Sequence, residues 1–357
     1  MIATEGTRKL NFSSGPAALP EEVLRRAQDA LWDLDGTGIG ILEHSHRGKA
    51  FARVLERAEA LVRELAGIGD DHAVLFVTAG ATPHFAMIPE QFLRAGETAD
   101  YCVTGVWAHK AVAEAKRYGS VHVACDGAPA YDAVPARCTW SASARYAYYV
   151  SNETIYGTEW SQPPDAPAPL VCDASSDIFS RPLQLANHAL IFAGAQKNLG
   201  PSGISLVIAR RDSLEAGRDD LPPLVQYRTY AREKSLHNTP NTFGIYMIGE
   251  TCAWIRAQGG LAAMAERNAR KAKLLYDFLD QSKHFRAHAQ PGSRSLMNVT
   301  FRADTPERET QLLARAEERG MSGLAGHRSV GGMRASIYNA FPEAGVVKLV
   351  ELLDELD

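Results

Sequence analysis

The 357-residue chain lacks a strong excess of charge of either sign. It has 38 Lys and Arg against 42 Asp and Glu, which leaves a formal net charge of −4. Proteins that bind nucleic acid or anionic membranes do so mainly through clustered positive charge. The balance therefore argues against either as the main partner, and it leaves room for local basic pockets that bind small anions.

Long apolar runs and paired cysteines are also missing. No apolar run approaches the roughly 20 residues that span a bilayer, and the stretch MIATEGTRKLNFSSGPAALP has no signal-like apolar core. The five cysteines are scattered and form no C-x-x-C motif. Cys102 and Cys172 lie in apolar runs and are expected to be buried free thiols. We therefore expect a cytoplasmic protein in a reducing compartment.

The common phosphate-binding fingerprints are absent. GTGIGILE has the spacing G-x-G-x-G and does not follow a strand, and RGKA lacks the other residues of a P-loop. A nicotinamide dehydrogenase or a P-loop ATPase is thus disfavoured. His44 and His46 have a spacing compatible with a metal, but no third ligand of suitable spacing accompanies them, so no metal is expected.

Short β-branched or aromatic runs alternate with amphipathic helical stretches from residue 73 onward, as in AVLFVTAG, ADYCVTG, RYAYYVS, APLVCD and ALIFAG. This alternation is typical of an α/β fold with a mostly parallel sheet flanked by helices. After about residue 240 long helices give way to an α+β pattern. The sequence predicts a large domain over 16–259 and a smaller α+β C-terminal domain over 260–357.

Two charged residues follow neighbouring predicted strands. Asp173 ends the strand PLVCD, and Lys197 follows the strand ALIFAG in the polar, glycine-flanked loop GAQKNLGPSG. Ligands of open α/β folds bind at this edge of the sheet. A lysine that bonds the aldehyde of pyridoxal phosphate and a carboxylate that keeps its pyridine nitrogen protonated fit this pair. A helix cap for Asp173 and a solvated loop cation for Lys197 are the alternatives.

Other strand ends offer partners for such a cofactor. The turn Ala79–Thr82 precedes a helix whose N-terminus is suited to a phosphate. Trp107 begins the helix after CVTG and is a candidate platform for the cofactor ring, although it is equally compatible with a core position. Thr154 follows another strand and is a candidate hydroxyl partner for the ring oxygen.

Two His-Arg pairs, His46-Arg47 and His327-Arg328, stand apart from this set, and Arg334 follows the second pair. Arginine binds carboxylates and phosphates through a planar fork, so these residues are candidate anion ligands. Surface salt bridges are the alternative for any one of them.

Seven motifs together resemble the phosphoserine aminotransferase family, a branch of the fold-type I, class-V aminotransferases. From about residue 10 to the C-terminus, the motifs follow the family's order and spacing. The resemblance implies a homodimer that uses pyridoxal phosphate and exchanges an amino group between L-glutamate and 3-phosphohydroxypyruvate. It also implies that segment 1–15 packs with the small domain. The motifs are NFSSGPAALP, HSHRGKAF, SNETIYG, DASSDIFSRP, AGAQKNLGPSG, HNTPNTFGIYM and GHRSVGGMRASIYNA.

The resemblance also implies a role for each matching residue. Lys197 is the Schiff-base lysine, Asp173 the pyridinium partner and Trp107 the stacking ring. Thr154 bonds the ring oxygen, and Ala81, Thr82 and Gln196 hold the cofactor phosphate. Asn238 and Thr239 reach the cofactor phosphate of the neighbouring subunit. Arg334 binds the α-carboxylate, and the distal anion of either substrate is bound by His46, Arg47, His327 and Arg328.

The chain departs from the family pattern at three positions. Thr82 stands where some members have Arg, Tyr156 where Asp is usual, and Asp177 where Asn is common. These departures bear on substrate preference and not on the reaction class. An alanine–glyoxylate type aminotransferase and a non-catalytic protein that binds pyridoxal phosphate are the alternative functions. Transamination of 4-phosphohydroxythreonine in pyridoxine synthesis is a possible second role.

Overall fold

The computed structural model describes residues 8–328 and 330–357. Its strands form one large and several small sheets, and the predicted strands between residues 72 and 210 all appear. The strands are β1 Leu10–Asn11, β2 His72–Val77, β3 Thr98–Val103, β4 Ser120–Asp126, β5 Ala144–Val150, β6 Asn152–Glu153, β7 Thr158–Glu159, β8 Leu170–Asp173, β9 His188–Gly194, β10 Ser205–Arg210, β11 Phe285–Ala287, β12 Asn298–Ala303, β13 Met321–Ser322 and β14 Met333–Ser336.

The large sheet has seven strands in the order β2-β10-β9-β8-β5-β3-β4. β3, β4, β5, β8 and β9 run parallel to one another, whereas β10 is antiparallel to both β2 and β9. The antiparallel step follows from the short connection between β9 and β10, because a parallel pairing needs a longer crossover. The prediction of a mostly parallel sheet flanked by helices is therefore confirmed.

Helices cover both faces of this sheet because each presents an apolar stripe to it. On one face α1, α2 and α7 contribute Val23, Phe51 and Ile245 to the core, and on the other α3 and α4 contribute Phe85 and Ala108. The helices are α1 Glu21–Trp32, α2 Lys49–Ala66, α3 His84–Phe92, α4 Val106–Ala115, α5 Arg211–Glu215, α6 Tyr227–Arg232, α7 Thr242–Ala257, α8 Gly260–Gln281, α9 Pro306–Glu318 and α10 Glu343–Asp354, with a 3₁₀ turn at Pro223–Val225.

The C-terminal part has its own core around the antiparallel sheet β11-β12-β14. β1 pairs with β13 in parallel, and Phe12 joins this core. Residues 1–7 of the predicted N-terminal segment 1–15 lie outside the described part of the chain, and the grouping of that segment with the C-terminal domain stays a prediction. The boundary between 259 and 260 remains a prediction.

The cysteines follow the expectation in part. Cys102 and Cys172 are buried and free, as predicted. Cys125 and Cys138 form a disulfide, which their sequence spacing did not indicate. Within the described residues no helix is both long and apolar enough to cross a membrane.

Candidate active site

A cavity of about 140 Å³ lies at the carboxyl ends of the parallel strands. The loops after β2, β3, β8 and β9 meet there, because parallel strands present these ends at one edge of the sheet. The lining residues include most of those predicted to hold the cofactor. They are Gly80, Ala81, Thr82, Phe85, Trp107, Val150, Asn152, Asp173, Ser175, Ser176, Gln196 and Lys197.

Lys197 projects from the short loop that reverses the chain between β9 and β10. Its Nζ lies 5.5 Å from the centroid of the Trp107 ring. Burial lowers the pKa of the Lys197 amine, while the nearby carboxylates of Asp173 and Glu153 act in the opposite direction. A lysine with a lowered pKa is more often a neutral amine, which is the form that attacks a carbonyl or accepts a proton.

Asp173 ends β8 with one carboxylate oxygen fixed. Its Oδ1 accepts hydrogen bonds from the Ser175 N–H at 3.0 Å and the Ser175 hydroxyl at 2.6 Å. The Ser175 hydroxyl in turn accepts from the Gly194 N–H at 3.0 Å. Burial raises the pKa of Asp173, whereas the Ser175 hydroxyl bond and the Lys197 charge lower it. The second oxygen accepts no hydrogen bond within the described residues, so it can accept one from a protonated ring nitrogen.

The turn between β2 and α3 presents backbone donors to the cavity. The N–H groups of Gly80, Ala81 and Thr82 make no hydrogen bond within the described part of the chain. Three such donors at a helix N-terminus suit a phosphate. The Gln196 side-chain oxygen is buried beside them without a partner. Since the amide group can be turned to donate, it too fits a phosphate.

A buried histidine supports this turn from below. His84 begins α3, and its ring nitrogens contact the hydroxyls of Tyr227 at 2.5 Å and Ser205 at 2.7 Å. Burial lowers the pKa of His84 to about 3. The neutral ring therefore links α3 to β10 and α6 at ordinary pH.

The indole of Trp107 is held in place by a threonine. Trp107 Nε1 donates to Thr154 Oγ1 at 3.0 Å. The Thr154 backbone carbonyl accepts from Arg334 Nη1 at 3.1 Å. These bonds bring Trp107, Thr154 and Arg334 together, as the sequence predicted, although they lie far apart in the chain.

Arg334 is buried with part of its hydrogen-bonding capacity unused. Its Nη2 donates to Ser14 Oγ at 2.7 Å, while its Nε is buried without a partner. A buried donor left unpaired is unfavourable, and an incoming carboxylate would satisfy it. Burial lowers the pKa of Arg334, and the nearby Glu153 opposes this shift.

The remaining predicted ligands are placed differently. The pKa of His327 is lowered by burial and by the nearby charges of Arg334, Arg328 and Lys110. His327 therefore lies among three cations, and we call His327, Arg328 and Lys110 the basic cluster. Four other predicted ligands do not line the cavity of this chain, namely His46, Arg47, Asn238 and Thr239. Of these, Arg47, Asn238 and Thr239 are exposed.

Sequence reasoning missed three residues of the site. Lys110 Nζ lies 4.6 Å from the centroid of the Trp107 ring, and the helical i, i+3 spacing from Trp107 was a signal for it. Glu153 accepts from the Trp107 N–H at 3.3 Å and was overlooked beside Thr154. Ser14 reaches Arg334 across 320 positions, and no local pattern indicates that contact.

The two unusual residues outside the phosphate turn lie beside the cofactor residues. Tyr156 packs against Tyr131, with ring centroids 4.9 Å apart. Tyr131 in turn contacts His109 of α4, so Tyr156 lies close to this helix. Asp177 accepts from the Ser151 hydroxyl and pairs with Arg181 at 3.5 Å. Asp177 is thus tied into a buried network behind Asp173.

Comparisons with known proteins agree with this geometry. The model of the aminotransferase class-V family matches residues 9–349. The chain is 48% identical over 348 residues to a phosphoserine aminotransferase of Herpetosiphon aurantiacus, covering 96% of this chain and 97% of that one. The solved phosphoserine aminotransferase of Bacillus circulans subsp. alkalophilus superposes with a TM-score of 0.96 at 45% identity, over 98% of this chain and 99% of the other.

A further solved relative carries the cofactor. The structure of phosphoserine aminotransferase from Trichomonas vaginalis with bound pyridoxal phosphate has a TM-score of 0.93 and 38% identity, over 97% of this chain and 100% of that chain. The free donors of the phosphate turn and the unengaged Asp173 oxygen fit the same group in this chain. The chain therefore belongs to the class-V aminotransferases, within their phosphoserine aminotransferase branch, and its cofactor is pyridoxal phosphate.

Proposed function

We propose that this site reversibly transfers an amino group between L-glutamate and 3-phosphohydroxypyruvate, giving 2-oxoglutarate and O-phospho-L-serine. The observation that carries the proposal is the meeting of the Lys197 amine and the Asp173 carboxylate in one cavity beside unpaired phosphate donors. Pyridoxal phosphate supplies an aldehyde that binds amines and a ring that accepts electrons. Everything else is done by the chain's own side chains.

Those side chains divide the work. The Gly80–Thr82 turn and Gln196 bind the phosphate of the cofactor, Trp107 packs on its ring, and Asp173 holds a proton on its ring nitrogen. The lowered pKa of Lys197 suits its amine to accept the α-proton of the amino acid and to return it. We assign Thr154 to the ring oxygen, a role it would combine with its hydrogen bond to the Trp107 indole.

The two substrates share an α-carboxylate and a distal anion. We assign the α-carboxylate to Arg334, whose unpaired Nε is ready to donate to it. The distal phosphate or carboxylate falls to the basic cluster, since Arg328 and Lys110 bring positive charge to the neighbourhood of His327. Charge-assisted bonds of this kind are stronger than neutral ones.

A homodimer in the cytoplasm is part of the proposal. Trp32 is 87% exposed and Leu42 is 63% exposed, in the segment that leads into His46 and Arg47. Such an apolar patch on a monomer suits a protein interface. A second copy packed there would bring His46 and Arg47 toward a neighbouring cavity, and Asn238 and Thr239 are exposed in a similar way.

The test is the amine donor preference of the protein loaded with pyridoxal phosphate. We expect O-phospho-L-serine to convert the bound cofactor to its amino form and 2-oxoglutarate to restore it, with glutamate as the product. L-Alanine should react far more slowly, and glyoxylate should be a poor acceptor. Fast turnover of alanine with glyoxylate would assign the alternative aminotransferase, and binding without turnover of any donor would leave a non-catalytic protein. 4-Phosphohydroxythreonine is tested as a donor in the same assay.

A further inference from the structure

Glu153 is a fully buried carboxylate beside the cofactor cavity. It lies on β6, directly before Thr154, and none of its surface is exposed. Its Oε2 accepts from the Trp107 N–H at 3.3 Å and its Oε1 from the Ile155 N–H at 3.1 Å. A buried carboxylate is retained at low cost only where hydrogen bonds and charges compensate it.

The Trp107 contact lies at the first turn of α4. N–H groups in this turn have no partner inside the helix, and a carboxylate there also meets the positive end of the helix dipole. Gly105 makes room for it, because a Cβ atom at this position would come within 2.5 Å of Glu153 Oε2. Glu153 therefore fixes the backbone from which the Trp107 indole projects.

Glu153 is also electrostatically linked to the reactive groups. It raises the pKa of Lys197 and of Arg334, and Lys197 in turn lowers the pKa of Glu153. Burial outweighs these attractions and raises the pKa of Glu153 to about 7. The titratable groups that face it are Lys197, Asp173, Arg334, Tyr131, Tyr148 and Tyr156.

We propose that Glu153 is a positioning residue of the reaction, which anchors Trp107 through the first turn of α4 and, in its ionised form, adds a second negative charge near Lys197 and Arg334. It touches neither the cofactor nor the substrate in this assignment. The inference rests on the proposed roles of Lys197 and Trp107. It goes beyond them in giving the pocket a counter-charge whose effect is separable from that of Asp173.

The experiment compares E153Q, E153A and G105A with E159Q. Glu159 is the matched control because it is buried on the partner strand of the same hairpin, with a pKa raised by burial to about 7, yet it pairs with Arg181 away from the cavity. Two quantities are measured on each protein. One is the dissociation constant of pyridoxal phosphate from the apo-protein, and the other is the pH midpoint of the visible absorption change of the bound cofactor.

Glutamine keeps an oxygen acceptor and removes the charge. We expect E153Q to bind the cofactor within about threefold of wild type, and its pH midpoint to fall by about one unit, because a nearby negative charge stabilises a protonated nitrogen. E153A and G105A should raise the dissociation constant about tenfold or more, since both remove the support of α4. E159Q should change neither quantity.

Other outcomes overturn the inference. It is wrong if all three pocket variants match wild type, or if E159Q moves the midpoint as far as E153Q. Should E153A fail to fold, E153Q and G105A still decide the charge and the positioning separately. A wild-type protein that binds no pyridoxal phosphate would refute the proposed function itself, which distinguishes the two failures.

Discussion

Ser175 supports the Asp173 carboxylate, and replacing it with alanine should reduce both the stability of the protein and its catalytic rate. The substitution removes the 2.6 Å bond from the hydroxyl to Asp173 Oδ1 and leaves the Gly194 N–H without its 3.0 Å acceptor. A bond to a charged group contributes about 1.5–3 kcal/mol, and an unpaired buried donor costs about 1–3 kcal/mol. Because the Ser175 N–H still donates to Asp173, we expect Ser175→Ala to lower the free energy of unfolding by about 2–4 kcal/mol.

The same change should slow the reaction. The hydrogen bond from the Ser175 hydroxyl is the largest influence that lowers the pKa of Asp173, so its loss raises this pKa. An Asp173 carboxyl with a higher pKa is more often protonated itself, and in that form it no longer stabilises the proton on the ring nitrogen. We expect kcat with O-phospho-L-serine to fall about tenfold, which corresponds to about 1.4 kcal/mol in the barrier. Denaturant unfolding and steady-state kinetics on the loaded protein measure the two effects.

Ser295 provides the control for this prediction. Its buried hydroxyl also accepts two backbone N–H groups, from Met297 at 3.0 Å and Asn298 at 2.8 Å, but it does not line the cavity. Ser295→Ala should lose similar stability and keep kcat within about twofold. The reasoning is refuted if Ser175→Ala retains the wild-type kcat, or if the two variants slow the reaction equally.

Three further predictions concern the substrate, the pH and the assembly. Lys110→Met should raise KM for O-phospho-L-serine about fivefold without changing the affinity for the cofactor. The control Lys116→Met, at the other end of α4, should change neither KM nor cofactor affinity. If both variants raise KM equally, Lys110 does not belong to the basic cluster. His84 titrates near 3 when folded and near 6.5 when unfolded, so the unfolded chain binds the extra proton and stability falls with decreasing pH across this window. In denaturant titrations at pH 7 and pH 5, the free energy of unfolding should fall by about 2 kcal/mol less in His84→Gln than in wild type. An equal fall in both proteins would contradict the low pKa of His84. Trp32→Glu should yield monomers in sedimentation experiments and should weaken the retention of the cofactor. If the variant remains a dimer, Trp32 does not lie in the dimer interface.

The sequence was sufficient for the sheet and for the chemistry at its edge. Each strand is a short apolar run, and a polar residue follows it where the strand ends, so Asp173 and Lys197 had to meet once the strands were taken as parallel neighbours. The antiparallel direction of β10 did not follow from its composition, because a buried strand is apolar in either direction. Its direction is set by the short loop that carries Lys197.

Contacts between distant segments were beyond the sequence pattern. No local sequence pattern singles out Ser14. Its hydroxyl nevertheless accepts a hydrogen bond from Arg334, and its backbone carbonyl accepts one from the Tyr338 hydroxyl at 2.8 Å. No prediction from the sequence concerned Glu153, and only its burial and its hydrogen bond with the Trp107 N–H show which element it supports. In both cases the side chain acts through a neighbour in space that is remote in sequence, which neither periodicity nor spacing encodes.

The placement of the predicted substrate ligands gives a stronger argument about assembly than any one of them does. Arg334 is buried beside Thr154 and Trp107, whereas Arg47, Asn238 and Thr239 are exposed and do not line the cavity. In the proposed homodimer, exposed ligands of this kind would serve the cavity of the second copy. A two-fold dimer does so for both copies at once, because each contact in such an interface is made twice. If this is correct, a wild-type chain mixed with an Arg47→Ala chain should form hybrids in which one of the two sites keeps normal affinity for O-phospho-L-serine.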